Sequence, residues 1–121
     1  MAAAAAVIAL AAGGCGGGSS PATTASGGAE VVTAKETEYK IALSKTTIPP
    51  GNVTFRAVND GTITHALAIS GPGLPTKSTP NFLAGQSATL AVTLTRPGRY
   101  RLWCPVDSHR RLGMVTELTV R

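Results

Sequence analysis

Apolar and polar side chains alternate along the chain from Glu30 onward, with the period of two that is typical of β-strands burying one face. Turn signals such as Pro-Pro-Gly-Asn, Asp-Gly and Arg-Pro-Gly separate the alternating runs. The clearest runs are residues 53–58, 63–70, 87–95, 99–104 and the closing run from Met114. This pattern predicts an all-β domain, a Greek-key β-sandwich or barrel of seven to eight strands.

The connections between these runs carry two further expectations. Asp60-Gly61 is a favoured hairpin turn, so it predicts a hairpin that joins residues 53–58 to residues 63–70. Residues 71–85 are rich in Gly and Pro and show no strand pattern, which predicts a long excursion without regular structure.

Two of the runs place a potential metal ligand on an otherwise apolar face. In residues 63–70, His65 shares its face with the other odd-numbered positions, which are all apolar. In residues 99–104, Cys104 shares its face with the even-numbered positions. Both side chains are therefore expected to point into the core.

The N-terminal region contains no charged side chain. Residues 1–12 are apolar but too few to span a bilayer, and small residues then lead to Cys15. This arrangement resembles a bacterial lipoprotein signal, which implies an export signal over residues 1–14, lipidation of Cys15 and attachment to the extracytoplasmic side of a cell membrane. Plain secretion stays open as the alternative. Residues 15–29 are otherwise small or polar, so they predict a flexible tether before a domain of residues 30–121.

The charge is confined to that predicted domain. All eleven Lys and Arg residues and all six Asp and Glu residues lie there, and so does the net charge of +5. A basic domain favours association with an acidic partner surface. Basic residues are not interleaved with aromatic ones along a stripe, so nucleic acid is not expected as a partner.

The stretch CPVDSHRRLGM, residues 104–114, brings together three scarce residue types. The chain has two cysteines, two histidines and two methionines, and this stretch holds Cys104, His109 and Met114. With His65 they form a set of two imidazoles, a thiolate and a thioether, which is typical of a blue-copper site. Other interpretations stay open, namely a core histidine, an inert buried thiol, a core methionine, a Cys–His nucleophile and a zinc site.

Residues 30–121 resemble the cupredoxin family, the blue copper proteins that include plastocyanin and azurin. The resemblance rests on IPPGNVTFRAVNDGTITHALAIS, on GQSATLAVTLTRPGRYRLWCPVDSHRRLGM and on the terminal VTELTV. It implies one mononuclear copper ion bound by His65, Cys104 and His109, with Met114 as the axial ligand. It also implies a monomer that carries single electrons between extracytoplasmic redox proteins and is not an enzyme. A copper carrier that supplies an exported oxidase is the alternative function.

The sequence departs from plastocyanin and azurin beside these residues. Ala66 stands where those proteins have Asn, and Pro105 has no N–H to donate to the neighbouring thiolate. Fewer hydrogen bonds to sulfur predict a lower reduction potential, although the backbone N–H of Ala66 is expected to reach the sulfur. Asn59 is expected to form a turn rather than to bridge the two ligand-bearing segments.

The resemblance also suggests how electrons reach the site. Plastocyanin has an aromatic electron port at the position that matches Trp103, so Trp103 is a candidate port here. Arg110 and Arg111 follow His109, the ligand expected to lie nearest to solvent, and are candidate docking charges for an acidic partner. Surface packing for the tryptophan and solubility for the arginines are the alternatives.

Overall fold

The computed structural model describes residues 29–121, which form nine β-strands and no helix. The strands are β1 (Glu30–Thr37), β2 (Lys40–Leu43), β3 (Thr47–Ile48), β4 (Gly51–Asn59), β5 (Ala68–Gly71), β6 (Leu74–Ser78), β7 (Ser87–Leu94), β8 (Gly98–Trp103) and β9 (Val115–Val120). Among the described residues there is no long apolar helix that could span a membrane. Cys15 and the predicted signal and tether lie outside the described residues, apart from Ala29.

The strands form two sheets whose inner faces contribute to one buried cluster. One sheet has the order β2-β1-β4-β7, and the other has the order β3-β9-β8-β5-β6. Each sheet contains one parallel pair, β1 with β4 and β3 with β9, while the other pairs are antiparallel. This arrangement confirms the all-β sandwich, with nine strands in the described residues instead of seven to eight.

The predicted faces of the central strands are confirmed. In β4, Val53, Phe55 and Ala57 are buried, and in β8 Tyr100 and Leu102 are buried. Each large apolar side chain removed from water in this way stabilises the fold by about 1.5–3 kcal/mol. These side chains pack the two sheets against each other, and the predicted ligand Cys104 follows directly after the end of β8.

The prediction of a strand over residues 63–70 is wrong for its first half. Only its last three residues belong to β5, and Ile63 is 38% exposed while His65 is fully buried. The predicted Asp60-Gly61 hairpin is also wrong, because β4 and β5 belong to different sheets. Residues 60–67 instead connect the sheets. Burial on such a connection does not alternate, and every residue from 65 to 69 is buried.

The expectation for residues 71–85 is wrong as well, since β6 lies within them and pairs with β5. β6 is an edge strand with four exposed residues in five, so it has no buried face to produce an alternating pattern. The two-residue β3, which pairs with β9, is too short for any such pattern.

Candidate metal centre

Three of the four predicted ligands converge. The candidate ligand atoms of His65, Cys104 and His109 all lie within 4.8 Å of one another. Cys104 Sγ is 3.5 Å from His109 Nδ1 and 3.9 Å from His65 Nδ1. The exposed fractions are 0%, 0% and 7% for His65, Cys104 and His109. Both imidazoles thus present the same ring nitrogen to one buried sulfur, and His109 is the most exposed of the three.

His65 reaches this position from the connection between β4 and β5, where its backbone is held by Phe82. His65 N donates to Phe82 O at 3.1 Å, and Phe82 N donates to His65 O at 2.9 Å. This isolated antiparallel bridge supplies the pairing that a strand would have supplied. The His65 side chain is therefore positioned without a strand around it.

Asn59, at the end of β4, fixes the same connection. Its Oδ1 accepts a hydrogen bond from Gly61 N at 3.0 Å, which confirms the expected turn. Its Nδ2 donates to Ile63 O at 2.7 Å and to Phe82 O at 3.1 Å. The Asn59 side chain is buried and joins the segment that contains His65 to the segment that contains Phe82. These hydrogen bonds do not reach the loop of Cys104.

The loop from Cys104 to Met114 closes on itself. Cys104 N donates to Met114 O at 3.1 Å, Met114 N donates to His109 O at 3.0 Å, and His109 N donates to Val106 O at 3.0 Å. β8 and β9 anchor its two ends, because Trp103 pairs with Val115. Met114 is fully buried and bound through its backbone to both neighbouring candidate ligands, which is consistent with the predicted axial position.

The electrostatics of the centre favour neutral donors in the metal-free protein. Burial raises the pKa of the Cys104 thiol, while the backbone N–H groups of Ala66 and Val106 act in the opposite direction. This direction agrees with the expected approach of the Ala66 N–H to the sulfur. The Val106 N–H compensates for the absent donor at Pro105. Burial also lowers the pKa of His65, so its imidazole stays neutral and keeps a lone pair for a metal.

Comparisons with known proteins bear on the fold. No protein-family model and no curated protein matches the chain. Dithionite-reduced auracyanin from the photosynthetic bacterium Roseiflexus castenholzii matches with a TM-score of 0.63 and 24% identity over 78% of this chain and 99% of that one. Auracyanin A from Chloroflexus aurantiacus, a "blue" copper protein, matches with a TM-score of 0.60 and 19% identity over 78% and 100%. Auracyanin B matches with a TM-score of 0.61 and 20% identity over 77% and 89%. The chain has the cupredoxin fold.

The donor set of this domain with the cupredoxin fold fits one mononuclear copper ion. Two imidazoles, a thiolate and a thioether are the donors that suit copper in both of its common oxidation states. The three clustered donors are buried, and burial favours the neutral forms of His65 and Cys104, so a metal that displaces the thiol proton would meet a lone pair on His65 rather than a competing charge. The geometry and the chemistry of the donors therefore agree.

Glu38 is a residue of the centre that the sequence did not reveal. Its Oε1 lies 3.3 Å from His65 Nε2, on the ring edge opposite Cys104. The same oxygen accepts hydrogen bonds from Thr62 N at 2.7 Å and Ile63 N at 3.1 Å. Because Glu38 lies 27 residues before His65 and outside any strand, no local pattern connects the two.

Glu36, two residues earlier, is also unanticipated. It stands on the inward row of β1, is fully buried, and neither carboxyl oxygen has a hydrogen-bond partner. Burial raises its pKa to about 8. A charge on Glu36 would raise the pKa of Cys104, so this carboxyl lies within electrostatic reach of the centre. Its place on an alternating strand was a signal available in the sequence.

The surface beside the centre carries the predicted docking residues. Trp103 is partly buried at the end of β8, and the Arg110 guanidinium lies 4.5 Å from the centre of its ring. Arg101, Arg110 and Arg111 line a groove of about 480 Å³. On the other side, the half-exposed Tyr39 ring meets the His109 ring edge-on, with ring centres 5.5 Å apart.

Proposed function

We propose that this protein is a type 1 copper protein that carries single electrons between extracytoplasmic redox partners. His65, Cys104 and His109 would hold the ion, with Met114 as the axial ligand. The observation that carries the proposal is the buried cluster of two imidazoles and one thiol, whose ligand atoms lie within 4.8 Å of one another, with both Nδ1 atoms facing the sulfur. The fold shared with auracyanins, one of which is a "blue" copper protein, supports it.

The surroundings of the donors suit a carrier of electrons. Copper, when bound, supplies a reversible one-electron change between Cu(I) and Cu(II). The chain contributes ligands held by paired backbone on both sides, which limits how far they move when the charge changes. It also keeps water from Cys104 and His65, which are fully buried. Both histidines of the chain belong to this site, so none is left for the additional copper sites of an oxidase.

A copper carrier for an exported oxidase is the second candidate. A carrier must release its ion to a recipient, whereas this cluster is buried and closed by backbone hydrogen bonds at both ends of its loop. That closure favours electron transfer over delivery. A carrier function would show as rapid loss of copper to a competing thiolate ligand and slow electron self-exchange.

The docking surface belongs to the same proposal. Arg101, Arg110 and Arg111 gather beside Trp103, so an acidic redox protein is the partner expected to dock there on a monomer. The proposed lipid on Cys15 and the tether of residues 15–29 would keep the domain at the extracytoplasmic membrane surface. A chain without the lipid would be a secreted form of the same carrier.

The visible absorption spectrum of the purified protein, loaded with Cu(II), tests the function. An intense band that bleaches on reduction and returns on reoxidation is expected, since a copper–thiolate bond produces it. Cys104→Ser should abolish the band, while Cys15→Ser should retain it and control for loss of a thiol. Copper binding without such a band in the unaltered protein would contradict electron transfer and favour copper carriage.

Met114→Gln tests the axial ligand. An oxygen donor stabilises Cu(II) more than a thioether does, so the reduction potential measured by voltammetry should fall. Exposed Leu112→Gln, in the same loop, is the matched control and should leave the potential unchanged. An unchanged potential in Met114→Gln would remove Met114 from the site.

Electron exchange with the anionic oxidant hexacyanoferrate(III) tests the docking charges. Arg110→Gln should slow oxidation of the reduced protein severalfold at low salt, because one attracting charge beside Trp103 is lost. Arg56→Gln, an exposed change on β4, should have little effect. Equal rates for the two variants would contradict a docking role for Arg110.

A further inference from the structure

The two sides of the His65 ring meet different partners. Nδ1 faces Cys104 Sγ at 3.9 Å, and Nε2 faces Glu38 Oε1 at 3.3 Å. A neutral imidazole carries its proton on only one of these nitrogens. A carboxylate oxygen can only accept, so the contact with Glu38 places the proton on Nε2 and leaves the lone pair of Nδ1 directed at the cluster.

The chain builds a specific position for this carboxylate. Thr62 N and Ile63 N both donate to Glu38 Oε1. These two N–H donors stabilise the carboxylate form of Glu38, which is the form that accepts hydrogen bonds. A Cβ on Gly61 would overlap the Glu38 carboxylate, so glycine is required there for this approach.

We propose that Glu38 is a positioning residue of the metal centre, which fixes the tautomer of His65 and lowers the reduction potential of the bound ion. The second part rests on the proposed copper function. A carboxylate on the remote nitrogen orients a metal-binding histidine and makes it a stronger donor. A stronger donor and a nearby negative charge both favour Cu(II) over Cu(I). The His109 ring is packed edge-on against the Tyr39 ring instead.

Glu38→Gln separates the charge from the hydrogen bond. All three donors share Oε1, so the single amide oxygen of glutamine can accept the same bonds. Glu38→Ala removes both charge and acceptor. Glu117→Gln, which removes a half-exposed carboxylate on β9, is the matched control for loss of one negative charge.

The first measurement is nitrogen-15 NMR of the metal-free protein, which reports the His65 tautomer without copper. The Nε2–H form is expected in the unaltered protein and in Glu38→Gln, and a mixture of tautomers in Glu38→Ala. A mixture in the unaltered protein would overturn the positioning role, even if copper binding is later established. The same spectra show whether each variant is folded.

The second measurement is the reduction potential of the copper-loaded proteins. Glu38→Gln should have a higher potential than Glu117→Gln, and Glu38→Ala should also bind copper about 10–100-fold more weakly. Equal potentials in Glu38→Gln and Glu117→Gln would overturn the effect of the charge. If the unaltered protein has no copper–thiolate band, the proposed function and the claim on the potential both fail, and the tautomer result still decides the positioning role.

Discussion

His65 and the loop from Cys104 to Met114 supply side chains to the same centre, but the chain holds them in different ways. The support of His65 comes from Phe82 and Glu38, which are distant in sequence, and from Asn59, six positions before it. Phe82 pairs with its backbone, Asn59 holds the neighbouring carbonyl groups, and Glu38 contacts its ring. None of these three residues lies within five positions of His65.

The loop holds itself. Its hydrogen bonds join Cys104 to Met114, Met114 to His109 and His109 to Val106, all within one short stretch between β8 and β9. The comparison teaches that one half of the site depends on the assembled sandwich, while the other half is defined by a local turn. The two halves should therefore respond to different substitutions.

The largest effect is expected from Asn59→Ala, which removes three hydrogen bonds around His65. The part-buried carbonyl group of Ile63 and the buried carbonyl group of Phe82 each lose a donor, so the free energy of unfolding should fall by about 2–3 kcal/mol. Chemical denaturation measures this change. Amide hydrogen exchange should accelerate at residues 63–67 and stay unchanged at residues 106–113.

Asn52→Ala is the control for loss of an asparagine on the same strand. Asn52 accepts a hydrogen bond from Thr93 at an exposed position, so the cost should stay within about 0.5 kcal/mol. Equal acceleration of exchange in both halves of the site in Asn59→Ala would show that the halves are one cooperative unit.

A smaller effect is expected from pH. The buried Glu36 carboxyl can ionise, and the residue is connected to both halves of the site. Its backbone carbonyl accepts from Asp60 N beside Asn59, and its charge is felt by Cys104. The folded pKa of about 8 is above the ordinary 4.5, so the folded state holds the proton more tightly. The resulting stability is complete below pH 4.5 and is lost as pH rises through 8.

The metal-free protein should therefore lose about 2 kcal/mol of unfolding free energy between pH 6.5 and 8, at about 1.4 kcal/mol per pH unit. His65, whose folded pKa is lowered from 6.5 by burial, is half protonated in the unfolded chain at pH 6.5, so it offsets a minor part of this loss at the lower end of the range. Glu36→Gln cannot ionise, so denaturation midpoints of that variant should stay flat. A slope that persists in Glu36→Gln would assign the pH dependence to another group.

The same division explains what could be predicted from the sequence. Cys104, His109 and Met114 were found because they lie close together in the chain, and the alternating faces of β4 and β8 were found because burial on a strand has a period of two. His65 was identified as a ligand through a strand that is not there. His65 is buried together with its neighbours Ala66 and Leu67, so the alternation of apolar residues around it does not mark the face of a strand.

The contact of Glu38 with His65 and the hydrogen bonds of the Asn59 side chain could not be predicted in this way. Their partners are 27 and 23 residues away, at Nε2 of His65 and the carbonyl of Phe82, and only the packing of two sheets brings them together. Glu36 was within reach of the sequence, since it follows Val32 and Ala34 on the inward row of β1. Inward positions of a strand usually carry apolar residues, and the buried carboxyl of Glu36 departs from that rule.

The smallest effect is expected in the loop, as the difference in stability between Gly113→Ala and Gly85→Ala. Gly113 has a φ of +124°, and a Cβ there would lie 2.9 Å from the backbone oxygen of Tyr39. Gly85 has a φ of +78° and open space around its Cβ position, so Gly85→Ala has backbone strain without the contact. Strain of this kind costs about 1–2 kcal/mol, and the contact should make Gly113→Ala about 1 kcal/mol worse than Gly85→Ala.

Denaturation of both variants measures the difference, and hydrogen exchange locates it. Since the loop is closed by its own hydrogen bonds, exchange in Gly113→Ala should accelerate at residues 106–113 while residues 63–67 remain protected. In the opposite pattern, residues 63–67 would open first. That result would mean that Tyr39, which lies beside both Gly113 and His109, transmits the strain to His65 through its neighbour Glu38. The loop would then depend on the assembled sandwich as much as His65 does.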